Sequence, residues 1–202
     1  MQLTGTDLTA RRGGEILFSG LDFSLAASDL LTVTGPNGAG KSTLLRIIAG
    51  LHEPITGSVH IEEGDTVSSP ALFSHYLGDK NAMKPTLSVG DNLHFWGSYP
   101  DAQACNPRHA LEAVELAYSL HLPYGMLSTG QKRRVALARL LVIRRPVWIL
   151  DEPTSGLDSA AASLFSTIMK RHLLSGGMIV AATHLPLGLG AAFNITLSRD
   201  ET

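Results

Sequence analysis

The sequence predicts an α/β fold. It has a mainly parallel core sheet, an antiparallel β subdomain at the N-terminus and an inserted helical subdomain. Three observations predict it. Short apolar runs at residues 147–150 and 178–182 lack alternation, as strands buried on both faces do, and residues 30–34 are a compact β-prone run. Leu21, Phe23 and Leu25 alternate with polar Asp22 and Ser24, the period of a half-buried antiparallel strand. From Thr86 to Arg145 the texture changes to helices, broken at Pro100, Pro107, Pro123 and Gly125.

Taken in order, residues 3–8 and 18–25 read as early strands, and residues 30–34 feed straight into a glycine loop. Residues 42–51 read as a helix with Leu44, Leu45, Ile47, Ile48 and Leu51 apolar and Gly50 near its end. Pro54 and Gly57 mark a turn, and residues 58–61 a strand. Residues 62–70 read as a polar loop, and residues 71–77 as a strand stopped by Gly78. Residues 1–78 and 146–202 thus make the α/β core of one domain, and about 79–145 the helical subdomain. Residues 176–197 carry no formal charge, yet His184, Pro186 and Asn194 interrupt them. A strand, a loop and a second strand fit that stretch better than a membrane span.

The 202 residues are 44% hydrophobic and 17% charged, a composition that folds around a sizeable core. A formal net charge of −2 supplies no bulk field for nucleic acid or anionic lipid. Lys132-Arg133-Arg134 and Arg144-Arg145 are basic clusters, read as solvated helix ends. Cys105 is the single cysteine, so no internal disulfide can form, and it is read as inert. The N-terminus shows no basic segment followed by an apolar one, so no secretory signal is expected.

The chemistry begins at Gly35-Pro36-Asn37-Gly38-Ala39-Gly40-Lys41-Ser42, which matches G-x-x-x-x-G-K-[ST] with a strand before it and a helix after. Such a loop wraps a phosphate with backbone N–H groups, and the helix start adds positive potential. Lys41 can bridge β- and γ-phosphates, and Ser42 can put its hydroxyl on Mg²⁺. Asp151 follows four apolar residues, so a buried strand delivers one carboxylate to its end, where it can hold Mg²⁺. Glu152 beside it can orient or deprotonate a water.

These motifs, with Leu127-Ser128-Thr129-Gly130-Gln131 between them, Ser155-Gly156-Leu157-Asp158 after them and His184 in residues 179–184, make the chain resemble the ATP-binding domain of ABC transporters over nearly its whole length. The resemblance implies ATP and Mg²⁺ as ligands and a P-loop fold of ABC type. Residues 35–42 and Thr43 would then hold ATP, and Ser42 and Asp151 the metal. Glu152, His184 and Lys41 would be catalytic, with His184 sensing the γ-phosphate. The resemblance further implies that Ser128, Thr129, Gly130, Gln131 and Asp158 serve the ATP held by a second copy. Read alone, Ser128 is an N-cap and His184 a satisfied core histidine.

Two positions depart from that family. Its members usually carry a glutamine after the strand that precedes the helical insertion, where this chain aligns Asp79. An ionised carboxylate there can reach a metal-bound water but cannot donate a hydrogen bond. No aromatic stands in residues 10–14, where the family stacks adenine. Arg11 or Arg12 could stack a guanidinium on the base, or be solvated turn residues.

Local strings resemble, within that family, the ATP-binding subunit of the bacterial haem exporter of cytochrome c maturation: residues 17–21, 76–78, 92–96, 148–151 and 176–180. This implies integral membrane transporter subunits and cytochrome c maturation proteins as partners, no nucleic acid, and a peripheral place on the cytoplasmic face of the bacterial inner membrane. His94, His109 and His121 have no metal or haem spacing, and no haem site is expected. Phe95, Trp96 and Tyr99 are either an aromatic anchor for a membrane subunit or packing of the helical block. An ABC exporter of another substrate, or a soluble non-transport ABC ATPase, is the rival reading. The latter usually shows paired domains, a coiled-coil insertion or a basic surface. A phosphate-loop GTPase would carry an Asn-Lys-x-Asp string, which is missing.

Overall fold

The computed structural model describes residues 1–98, 105–190 and 192–198. Tyr99 and Pro100, both singled out in the sequence, lie outside the described residues. The chain divides into two compact units. The first is built from residues 1–78, 146–153 and 169–202, the second from residues 79–145 and 154–168.

The first unit holds two sheets. β1 (Gln2–Arg12) pairs antiparallel with β2 (Glu15–Ala26), placing Leu3 opposite Leu25 and Leu8 opposite Leu21. In β2 Leu25 is buried and Leu21 and Phe23 are half-buried while Asp22 and Ser24 are exposed, which realises the alternation read in the sequence, and Leu3 and Leu8 of β1 are fully buried. β3 (Leu30–Thr34) runs into the phosphate loop, and α1 (Lys41–Ile48) follows. That helix is shorter than its apolar pattern suggested. Gly50 turns left-handed at φ 68° and ends it, so Leu51 falls outside and is exposed.

β4 (Thr56–Glu63) pairs with β1 on its other side. The expected polar loop at residues 62–70 is instead mostly a hairpin, because β5 (Thr66–Ser68) folds back on β4 around Gly64 and Asp65. The expected strand at 71–77 is also shorter. Ser69 accepts from the Ala71 N–H and starts a 3-10 turn at Pro70–Leu72, leaving β6 (Ser74–Leu77).

In the second unit lie α2 (Val89–Gly97), α3 (Pro107–Glu112) and α4 (Thr129–Val142). Pro107 sits in the first turn of α3, where its missing N–H costs nothing. β7 (Val147–Asp151), α5 (Ser159–Leu174), β8 (Met178–Ala182) and β9 (Phe193–Thr196) complete the chain. The second sheet has the order β6-β7-β8-β3-β9, parallel throughout, and β7 and β8 are buried at every residue. The uncharged stretch 176–197 is therefore β8, a loop and β9. No helix among the described residues is long and apolar enough to cross a membrane.

The core of the first unit joins both sheets to α1. Leu3 and Leu8 of β1 share it with Val33, Leu44, Ile48, Ile149 and Val180. Packing α1 against β7 and β8 is what fixes the phosphate loop over the sheet edge.

Candidate functional site

β7, β8 and β3 are adjacent and parallel, so their carboxyl ends lie side by side, where open α/β sheets hold ligands. β3 supplies the phosphate loop, β7 supplies Asp151 and Glu152, and β8 leads to His184.

The loop's shape follows from its glycines. A Cβ on Gly35 would overlap the Leu197 carbonyl oxygen, so no side chain fits there. Gly40 caps α1 in the left-handed region at φ 98°, and a Cβ on it would press on the Cβ of Leu17 at 3.0 Å. Ala39 is buried beneath, while Pro36, Asn37 and Gly38 form an exposed crest. Lys41 is only 8% exposed, and its ammonium donates to the carbonyls of Gly35 at 2.7 Å and Pro36 at 3.1 Å. The first turn of α1 contains no acid, and Ser42 and Thr43 stand in it.

Between the loop and β7 lies an open cleft. Asn37, Gly38, Gly40, Lys41, Ser42 and Thr43 line one part, Asp151 and Glu152 another, and Arg12 and Leu17 of the β1–β2 hairpin a third. Of the two arginines considered for the base, Arg12 lines this cleft. The sequence carried no signal for Leu17, which the hairpin register alone brings there.

Asp151 is buried and Ser42 half-buried, and both are oxygen donors. A hard cation such as Mg²⁺ takes a few such donors and completes its shell with phosphate and water, so this pair fits it. Among the described residues, no cluster of three or more His, Cys, Asp or Glu forms a protein-only metal cage. Asp79 is exposed and follows β6, whose Leu77 pairs with Leu150 of β7.

Glu152 has a left-handed backbone at φ 44°, unusual for a residue with a Cβ. Its N–H is tied to the Ala182 carbonyl at 2.9 Å, which holds the turn. His184 Nε2 stands 3.4 Å from Glu152 Oε1. The turn that presents His184 is locked by Thr183, whose hydroxyl donates to the Leu185 carbonyl and accepts from the Leu185 N–H. His184 is half exposed at this edge, which sets aside the core-histidine reading.

The second unit presents another helix start. Ser128 caps α4 with a complete capping box: its Oγ accepts from the Gln131 N–H at 3.2 Å, and Gln131 Oε1 accepts from the Ser128 N–H at 2.8 Å. Leu127 is buried and anchors the segment, while Ser128 and Thr129 are exposed. A Cβ on Gly130 would meet nothing closer than the Gly156 carbonyl at 3.6 Å. The fold therefore does not require that glycine, although glycine weakens a helix. Asp158 is exposed, and its carboxylate accepts from the Ala161 N–H at 2.8 Å at the start of α5.

One basic cluster departs from its expected place. Arg133 is not a solvated helix end but is 7% exposed within α4, and donates to Asn81 at 3.3 Å. Asn81 in turn donates to the Tyr124 hydroxyl at 3.1 Å. Burial raises the Tyr124 pKa. Burial and then the neighbouring Arg133 push Arg139 down to about 10, and its guanidinium lies 4.4 Å from the Trp96 ring centre. Trp96 is thus part of the helical packing, with Nε1 donating to the Ala82 carbonyl, while Phe95 is 58% exposed.

The ABC transporter family profile matches residues 18–155. The Brucella abortus protein named cytochrome c biogenesis ATP-binding export protein CcmA is 53% identical over 196 residues, covering 97% of this chain and 91% of that one. The protein of the same name from Chelativorans sp. is 55% identical over 190 residues, covering 94% of each. A putative ABC transporter ATP-binding protein from Pyrococcus furiosus has the same fold, with a TM-score of 0.82 at 24% identity over 98% of each chain. The dimeric post-hydrolysis structure of the ATP-binding cassette MJ0796, bound to ADP and Pi, gives a TM-score of 0.78 at 25% identity, covering 96% of this chain and 94% of that one. The chain belongs to the ABC transporter family and is one of its ATPases, of the cytochrome c biogenesis ATP-binding export type.

Proposed function

We propose that this chain is the ATP-hydrolysing subunit of the haem exporter used in cytochrome c maturation, and that residues 1–202 act as one ABC ATP-binding domain. Two copies pair head to tail with two ATP molecules between them. The phosphate loop of one copy, residues 35–43, holds the phosphates, with Lys41 on the β- and γ-phosphates. Ser42 and Asp151 would hold Mg²⁺, which would neutralise phosphate charge, and Asp79 would reach its water shell. Glu152 takes the proton of the attacking water, and His184 steadies that water beside the γ-phosphate. Ser128, Thr129, Gly130 and Gln131 cap the γ-phosphate from the second copy, and Asp158 contacts the same interface.

One observation carries this reading. Among the described residues two helix starts are suited to receive an anion, one in each unit: α1 behind the phosphate loop, and α4 with an exposed Ser128 and a glycine its own fold does not need. A nucleotide enzyme working alone uses one. A pair of chains uses both at each ATP. The dimeric MJ0796 structure supports this.

Closure depends on γ-phosphate contacts, so hydrolysis removes the reason to stay closed. That cycle would drive integral membrane subunits from the cytoplasmic face of the inner membrane, in company with cytochrome c maturation proteins. The export-protein names of the relatives support this assignment. The test is copurification of the tagged chain from detergent-solubilised bacterial membranes. Membrane transporter subunits and haem-handling proteins are expected. Recovery with ribosomes or DNA instead would overturn the transport reading.

A further inference from the structure

We propose that Tyr118 is a positioning residue for the Ser128–Gln131 phosphate cap, acting through the Gln131 amide. The proposal rests on the paired-chain reading above.

Tyr118 stands on a 3-10 turn, Ala117–Ser119, that is firmly anchored. Ser119 is fully buried, and its hydroxyl donates to the Leu116 carbonyl at 2.7 Å. The carbonyls of Leu120 and Leu122 accept from Gly90 and Val89 at the start of α2. A Cβ on Gly90 would meet the Leu120 side chain at 2.9 Å, so the two segments are in close contact. The turn is therefore a fixed platform.

Tyr118 is 65% exposed, so burial accounts for little of its value. Its hydroxyl accepts from Gln131 Nε2 at 2.9 Å. The other end of that amide, Oε1, accepts from the Ser128 N–H at 2.8 Å. Both ends of the Gln131 side chain are thus held, one by the cap and one by a platform outside the helix. Turning the amide over would set its NH₂ against the Ser128 N–H, donor against donor.

This has a consequence for the phosphate cap. Ser128 Oγ accepts from the Gln131 N–H, which leaves its own proton to donate. The N–H groups of Thr129 and Gly130 belong to the first turn, where no intrahelical acceptor exists. Three donors therefore face outward together only while Gln131 keeps its place. Tyr118 preorganises that set before a phosphate arrives, so its removal weakens pairing rather than the phosphate loop's own grip.

The experiment uses the full chain with Glu152→Gln, which blocks hydrolysis, and follows ATP-dependent dimerisation by sedimentation. Adding Tyr118→Phe should raise the ATP concentration for half-maximal pairing about threefold, the scale of one exposed hydrogen bond. Binding of a fluorescent ATP analogue to the monomer and the melting temperature should stay unchanged. In a Gln131→Ala background, Tyr118→Phe should have no further effect, because the link it acts through is gone. Ser128→Arg is the control and should abolish pairing. If Ser128→Arg abolishes pairing while Tyr118→Phe leaves it unchanged, the positioning role is lost and the paired reading stands. If Tyr118→Phe acts equally with and without Gln131, the route through the amide is wrong. If Glu152→Gln alone stays monomeric at saturating ATP, both ideas fall.

Discussion

His184 Nε2 lies 3.4 Å from Glu152 Oε1, and the two residues follow neighbouring parallel strands, β8 and β7. Neither strand alone could make this pair. Asp151 pairs with Ala182 as the last rung of the ladder, and the chain then turns at Glu152 with φ 44°. A left-handed glutamate costs roughly 1 kcal/mol or more, and it persists because its N–H is bonded to Ala182. The strained turn sets the carboxylate beside both the imidazole and the phosphate-loop cleft.

Replacing that carboxylate should stop chemistry while sparing binding. Glu152→Gln is expected to lower ATP turnover about 100-fold or more, the scale of a lost general base. It should also trap an ATP-bound dimer, seen by size-exclusion chromatography with light scattering. A monomer under saturating ATP would contradict the sandwich.

Gly130→Ala separates fold from function. The added methyl meets no atom closer than 3.6 Å, and alanine favours helix by about 1 kcal/mol. The monomer should melt no lower than the parent, while ATP-driven pairing falls at least tenfold. A variant that pairs normally would show that nothing approaches this glycine closely.

Arg12 lines the phosphate-loop cleft, so a base stacked on an arginine there should meet Arg12. Arg12→Ala should raise KM for ATP about threefold with kcat nearly unchanged, as expected for a cation–π contact of about 0.5–1 kcal/mol. Arg11→Ala should not. Equal effects from both would mean that general charge, not stacking, is at work.

Trp96→Ala strips the ring that lies 4.4 Å from the Arg139 guanidinium. Unfolding free energy should drop by about 2 kcal/mol in urea titrations. In an Arg139→Met background, where no buried cation needs the ring, the drop should be smaller. The sign with pH is fixed by the folded pKa of about 10, below the ordinary arginine value. Between those values the unfolded chain binds more protons, so this group's contribution rises with pH there and is flat below about pH 9. A loss of Trp96 stability that varied between neutral pH and about pH 9 would therefore point to some other group.

Much of the site could be read from local pattern. A phosphate loop, an apolar strand ending in Asp151-Glu152 and a Ser128 cap each depend on a few consecutive residues, so short-range physics writes them plainly. Weaker signals were missed where a turn decided the outcome. Gly64 and Asp65 made a hairpin of a polar stretch, and Gly50 stopped α1 before Leu51. Arg133 looked like solvated charge because its acceptor, Asn81, is 52 positions away in sequence. Tyr118 carried no signal, since its partner Gln131 is reached only by folding.

The order of glycine loop, capped helix and acidic strand end is a property of the chain itself, since backbone conformation and capping are settled within a few residues. Which side chains meet is not. The strand order β7-β8-β3 joins Glu152, His184 and Lys41 at one sheet edge, the β1–β2 register carries Arg12 and Leu17 to the cleft, and an anchored 3-10 turn hands Tyr118 to Gln131. Those contacts depend on how apolar surface is buried over long sequence separations, and only the packed chain decides that.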